Sequence, residues 1–150
     1  MESENPQLLA DILDSLTPAD WDQLIREVAA DWDAKRVKRD NPFVLDLIRV
    51  LRPKDNGLKR SIVLHDVERT RKRLGLPMRR TFEQTVQQAC ERFCINSEVW
   101  VANGSRDDEG LFTWPKGAGA GYWAIRQPQA DNWLREFLKK RQKARAAGKP

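Results

Sequence analysis

The sequence predicts a mainly α protein with a small β-hairpin, and three observations predict it. Apolar residues recur at spacings of three and four along most of the 150 residues, as amphipathic helices require. Several of these stretches carry a Thr or Asn cap, an early Pro or a closing Gly. Two short runs rich in aromatic and branched residues, LFTW and YWAIR, flank a glycine-rich stretch and read as the one hairpin.

Residues 1–40 are expected to form an acidic helical hairpin. Leu8, Leu9, Ile12, Leu13 and Leu16 make the stripe of its first helix. Thr17 caps the second, Pro18 suits its first turn, and Asp20 and Asp22 complement its positive end. Trp21, Leu24, Ile25, Val28 and Trp32 form that helix's apolar face, and the basic run KRVKRD follows. Four roles stay open for this head: packing on the body, forming a homodimer, recruiting a protein partner, or competing with a polyanion for the basic body.

Residues 41–127 form the second unit. Asn41 and Pro42 open a helix whose Phe43, Leu47, Ile48 and Leu51 point inward, and Arg52-Pro53 ends it. After the turn KDNG, the spacing of Val63, Val67, Thr70 and Leu74 marks the next helix, with Gly75 as its C-cap. Thr81 and Gln84 suggest a capping box, and Phe82, Val86, Ala89 and Phe93 give the buried stripe of a third helix. EVWVA reads as a short strand, NGSRDDEG as a polar loop, and PKGAGAG as the hairpin turn. Residues 128–150 form the last unit. A helix from Ala130 to about Arg145 is expected to dock through Trp133, Leu134, Phe137 and Leu138 and to run into a basic tail.

Charge divides the chain. Residues 1–34 hold nine acids and one base, residues 35–106 eight acids and seventeen bases, and residues 107–150 five acids and nine bases, which gives +5 in all. A basic body favours polyanions. No run of 18 apolar residues occurs, so no transmembrane helix and no membrane partner are expected. The N-terminus lacks the basic and apolar regions of a secretory signal, so the cytoplasm is the expected location. Cys90 and Cys94 stand four apart on one helix, a spacing that points to core thiols rather than to a zinc knuckle or CxxC redox chemistry.

The stretch LFTWPKGAGAGYWAIR holds three of the eight glycines. A phosphate-cradling loop lies between a strand and a following helix, whereas this one lies between two strand-like runs and no Gly-Lys-Ser/Thr follows. Catalysis finds no constellation either. His65 is the only histidine, and its neighbour Asp66 cannot share a helix face with it. Asp107, Asp108 and Glu109 sit together in a polar loop, not spread around a metal. No enzymatic activity, cofactor, metal or small-molecule substrate is expected.

TFEQTVQQACERF followed at a distance by LFTW and GYWAIR resembles the winged helix-turn-helix modules of restriction-associated and other bacterial DNA-binding proteins. The resemblance covers roughly residues 42–126. It implies a winged helix-turn-helix between an N-terminal helical hairpin and a C-terminal helix. It also implies a recognition helix over Phe82 to Ile95 and a wing tip over Pro115 to Gly121.

On that helix Thr81, Gln84, Thr85, Gln87, Gln88 and Arg92 are the candidate readers, since Gln suits an adenine edge and Arg a guanine edge. Lys72, Arg73, Arg79, Arg80 and Lys116 are candidate phosphate contacts. Glu83 and Glu91 depart from the basic character usual in such a helix. Trp114 and Trp123 are expected to pack a core rather than to stack on bases. The expected function is non-enzymatic binding of duplex DNA in transcription regulation or DNA targeting. The alternatives are a protein-interaction adaptor built on the same scaffold, and RNA binding by the same basic face.

Overall fold

The computed structural model describes residues 13, 15–35, 43–54, 56–104, 109–117 and 119–148, and only the backbone of 31–35 and 144–148. Among the described residues six helices and three short strands follow in the order α1 (Pro18–Lys35), α2 (Phe43–Leu51), β1 (Leu58–Lys59), α3 (Arg60–Arg73), α4 (Phe82–Arg92), α5 (Glu98–Ala102), β2 (Phe112–Thr113), β3 (Tyr122–Ile125) and α6 (Gln127–Gly148). The mainly α expectation holds. The expected stripe at Leu8, Leu9 and Ile12, the Asn41–Pro42 cap, and Asp107 and Asp108 lie outside the described residues.

α1 starts as expected, on a reciprocal cap. The Asp20 amide donates to Thr17 Oγ1 at 3.1 Å, and the Thr17 amide donates to Asp20 Oδ2 at 3.0 Å. These bonds hold the Asp20 carboxyl below the usual carboxylate range. Leu24 and Ile25 then bury against Leu13, Leu45 and Leu134, which seats α1 between α2 and α6.

α2 is the centre of the molecule. Seven of its nine residues are buried, so it is apolar nearly all round, as a helix with neighbours on every side must be. It packs on α3, α4, β3 and α1. The one acid among its buried residues, Asp46, accepts two hydrogen bonds from Arg71 of α3, at 3.0 Å from Nε and 2.7 Å from Nη2. The Phe43 ring covers that guanidinium at 4.1 Å.

β1 was not expected from the sequence. It joins the hairpin to make a sheet ordered β1-β3-β2, antiparallel throughout, with Leu58 opposite Trp123 and Phe112 opposite Ile125. Two residues carry too little pattern for a strand to be read from sequence; its partner defines it. Gly57 admits the pairing. It takes φ +82°, and a Cβ there would lie 2.5 Å from the Trp123 carbonyl oxygen.

α3 ends on Gly75 as expected, with the Gly75 amide bonded to the Lys72 carbonyl and the Leu76 amide to the Arg71 carbonyl. The stripe of α4 is also in place: Phe82, Val86 and Ala89 are buried and Phe93 is half-buried. Its expected capping box is not formed. Thr81 sits at φ −88°, ψ 16°, away from the extended conformation a cap needs, and its side chain makes no cap bond. Its carbonyl instead accepts from both the amide and the hydroxyl of Thr85.

EVWVA is a helix, not a strand. Ser97 caps it by accepting from the Trp100 amide at 3.1 Å, and the Ser97 hydroxyl donates to the Glu91 carbonyl. The Val101 amide bonds to the Ser97 carbonyl and the Asn103 amide to the Val99 carbonyl, the i to i−4 pattern of a helix, and Trp100 is buried while Val99 and Val101 are 42% and 70% exposed. α6 begins at Gln127, three residues before the expected start. The Ala130 amide bonds to the Arg126 carbonyl, so β3 runs straight into the helix, and Pro128 falls in the first turn, where no N–H partner is needed. The basic stretch expected to be a tail continues this helix to Gly148.

Cys90 and Cys94 are free thiols buried in the main core with Phe112 and Trp123. Burial pushes the Cys90 thiol well above its ordinary range, so it stays protonated; its hydrogen bond holds Cys94 below that range. Among the described residues no group of three His, Cys, Asp or Glu side chains could hold a metal ion, and no helix is long and apolar enough to cross a membrane.

Candidate nucleic-acid interface

α4 presents one face to the core and the opposite face outward. Thr81, Gln84 and Gln88 are exposed, and Thr85 is half-buried beside them. Positions three and four apart share a helix face, so these four form one polar strip along the first two turns. Arg79 and Arg80, both exposed, stand just before the helix. Together with Arg60, Gln84 and Gln87 they line an open concavity between the start of α3 and the start of α4. Glu68 and Glu83 also line it and temper its positive charge.

Arg60 is a contributor that the sequence did not single out. Its amide bonds to the Gly121 carbonyl at the base of the hairpin turn. Its Nε donates to Gln87 Oε1 at 2.6 Å, and its guanidinium lies 5.8 Å from the centre of the Trp123 ring. One side chain therefore ties α3, α4 and the hairpin together at the mouth of the concavity. The only sequence signal for it was a base at the first position of a helix, where bases are disfavoured by the helix dipole.

The expected readers separate into three groups. Gln84 and Gln88 lie on the exposed strip. Gln87 does not: it accepts from Arg60 and its amide donates to Glu91 at 2.9 Å, so both ends of its carboxamide are engaged. Arg92 lies at the far end of α4, about 15 Å along the helix from Phe82, half-buried against a second depression with Phe93, Trp100 and Trp133.

The expected phosphate contacts separate as well. Lys72 is 62% exposed and pairs with Glu68 at 3.0 Å, at the edge of the concavity. Arg73 is turned towards α1, where its two terminal nitrogens donate to the two carboxylate oxygens of Asp22 at 2.9 and 3.0 Å. That bond holds Asp22 below and Arg73 above their ordinary ranges. Lys116 is exposed on the hairpin turn with its ammonium 4.0 Å from the centre of the Tyr122 ring.

The hairpin is anchored at its root and open at its tip. Asn96 Oδ1 accepts from the Thr113 hydroxyl at 2.7 Å and from the Trp114 amide at 2.8 Å, which fastens β2 to the link between α4 and α5. At the tip, nothing lies within 4 Å of where a Cβ would stand on Gly117, Gly119 or Gly121. Trp123 is 3% exposed and Trp114 packs on the main core, so both serve packing as expected.

His65 is exposed, and its neighbour Asp66 accepts from Arg49 at 2.6 Å and from Thr70 at 3.3 Å. No family model, curated protein or solved structure matches the chain.

Proposed function

We propose that this chain is a winged helix-turn-helix protein that binds duplex DNA without enzymatic activity, as a transcriptional regulator or DNA-targeting accessory in a bacterial cytoplasm. One observation carries the reading: α4 offers an exposed Thr–Gln strip, entered past Arg79 and Arg80 and flanked by an open-tipped hairpin. The order α2, β1, α3, α4, hairpin, with a sheet ordered β1-β3-β2, supports assigning the parts as a helix-turn-helix with a wing. An α-helix fits the major groove, where Gln84 and Gln88 have the donor and acceptor pair an adenine edge requires. Arg79, Arg80, Arg60, Lys72 and Lys116 then serve the phosphates.

A titration of labelled random duplex DNA at two salt concentrations tests this. Five phosphate contacts give a log–log salt slope of about −4.5. No binding, or binding indifferent to salt, overturns the reading. Glu68 and Glu83 in the same concavity weaken its pull on any polyanion, and the rival reading is an adaptor whose basic faces elsewhere meet an acidic protein. That rival predicts no duplex binding at any salt, and competition by duplex RNA separates the RNA version.

A further inference from the structure

One row along α6 passes from packed to exposed: Trp133 rests on the core, while Glu136, which also meets Lys139 of its own helix at 3.6 Å, Lys140 and Lys143 face outward among the described residues. Gln129, Trp133, Glu136, Lys140 and Lys143 follow spacings of four, three, four and three, which place them in one row, as in the seam of a coiled coil. Ala130 and Leu134, on the other side of the helix, are fully buried. In the row, Gln129 and Trp133 are half-buried, while Glu136, Lys140 and Lys143 are exposed. Gln129, Trp133 and Glu136 also line the second depression, together with Trp100 and Glu109. The Trp133 ring is held in place by stacking on Phe137 at 5.4 Å.

We propose that this row is the interface with a second copy of the chain, paired antiparallel along α6. The row is self-complementary in that direction alone. With the two-fold axis crossing the row midway between Glu136 and Lys140, Glu136 faces the second copy's Lys140, and the second copy's Glu136 faces Lys140 in return. The same register sets the second copy's Lys143 over Trp133 and towards Glu109, where an aromatic face and a carboxylate both favour an ammonium. A parallel pairing would set Lys140 on Lys140 and Glu136 on Glu136, so like-charge repulsion selects the antiparallel arrangement. Residues 129–143 span about 21 Å, long enough for all of these contacts to form at once. The pairing uses the C-terminal helix, not the acidic head, and does not depend on DNA binding.

Sedimentation of the full chain over a range of concentrations tests it. The chain is expected to show a monomer–dimer equilibrium that weakens as salt rises from about 0.05 to 0.5 M. Glu136→Lys and Lys140→Glu each set like charges together twice per dimer and should weaken association by about tenfold or more. The double variant restores opposite charges in the swapped order and should dimerise like the original chain. A chain that stays monomeric at every concentration overturns the proposal. So do single variants that associate normally, and so does a double variant no better than the singles.

Discussion

Two basic stretches flank the turn between α3 and α4, and the molecule uses them in opposite ways. The run from Arg69 to Arg73 is the denser of the two, yet its charges are largely engaged within the chain. Arg71 is buried on Asp46 and Arg73 is bound to Asp22, which leaves the exposed Lys72, in a solvated pair with Glu68, as the one of these three that faces a partner. Arg79 and Arg80 are fewer but exposed, and they border the concavity at the start of α4. Density of charge in sequence is therefore a poor guide to charge available for a partner; what matters is where the fold places it.

The largest effect tests the buried member of that contrast. Asp46 is fully buried and Arg71 nearly so. Asp46→Asn leaves the Arg71 charge in the core without its counter-ion, and should lower the free energy of unfolding by about 3–5 kcal/mol, read from urea denaturation. A loss within the error of the measurement would mean that water reaches Arg71 and that the pair is not part of the core.

Next comes the exposed stretch. Arg79→Ala with Arg80→Ala should weaken duplex binding roughly tenfold for every sequence and make the salt slope shallower by about 1.8, two phosphate contacts fewer. Arg73→Ala should leave that slope unchanged. If Arg73 carried the larger effect, the contrast between the two stretches would be reversed.

A finer comparison sets Gln88 against Gln87. Gln88→Ala should alter base preference by about 1 kcal/mol, measured by selecting bound sequences from a random library. Gln87→Ala should leave the preference alone and instead loosen the Arg60–Gln87–Glu91 chain, seen as a small drop in melting temperature. Equal shifts in preference for both variants would show that Gln87 leaves Arg60 to reach a base.

These pairs mark where the sequence was legible. The buried faces of α2, α3 and α4 were readable because burial repeats with the helical period, and Gly75 because its place after α3 admits few alternatives. The hairpin was readable from its aromatic runs. Side-chain partners were not, because they come from distant parts of the chain: Asp46 lies 25 residues from Arg71, Asp22 51 from Arg73, and Arg60 27 from Gln87. β1 and Asn96 escaped for the same reason, since their roles exist only once β3 and β2 lie beside them. EVWVA misled because its β-branched residues outweighed the Ser97 cap in a propensity reading, whereas in the fold that cap, accepting from the Trp100 amide, starts a helical turn.

The smallest effect belongs to the pair between Asp22 and Arg73. Arg73 is 57% exposed, so solvent and salt screen the interaction, and Asp22→Asn should lower the melting temperature only slightly. The sign with pH is fixed by the carboxyl. Asp22 is held below 3.8 by the bond from Arg73, so its contribution is complete above that value and is lost as pH falls through the lowered one. The difference in melting temperature between the original chain and Asp22→Asn should therefore persist at neutral pH and close only as pH falls through the lowered carboxyl value. It should also shrink in high salt, whereas the effect of Asp46→Asn, shielded from ions by burial, should not. A salt-resistant Asp22 effect would mean that α1 seals this pair from solvent, and that it belongs to the interior with the Asp46–Arg71 pair.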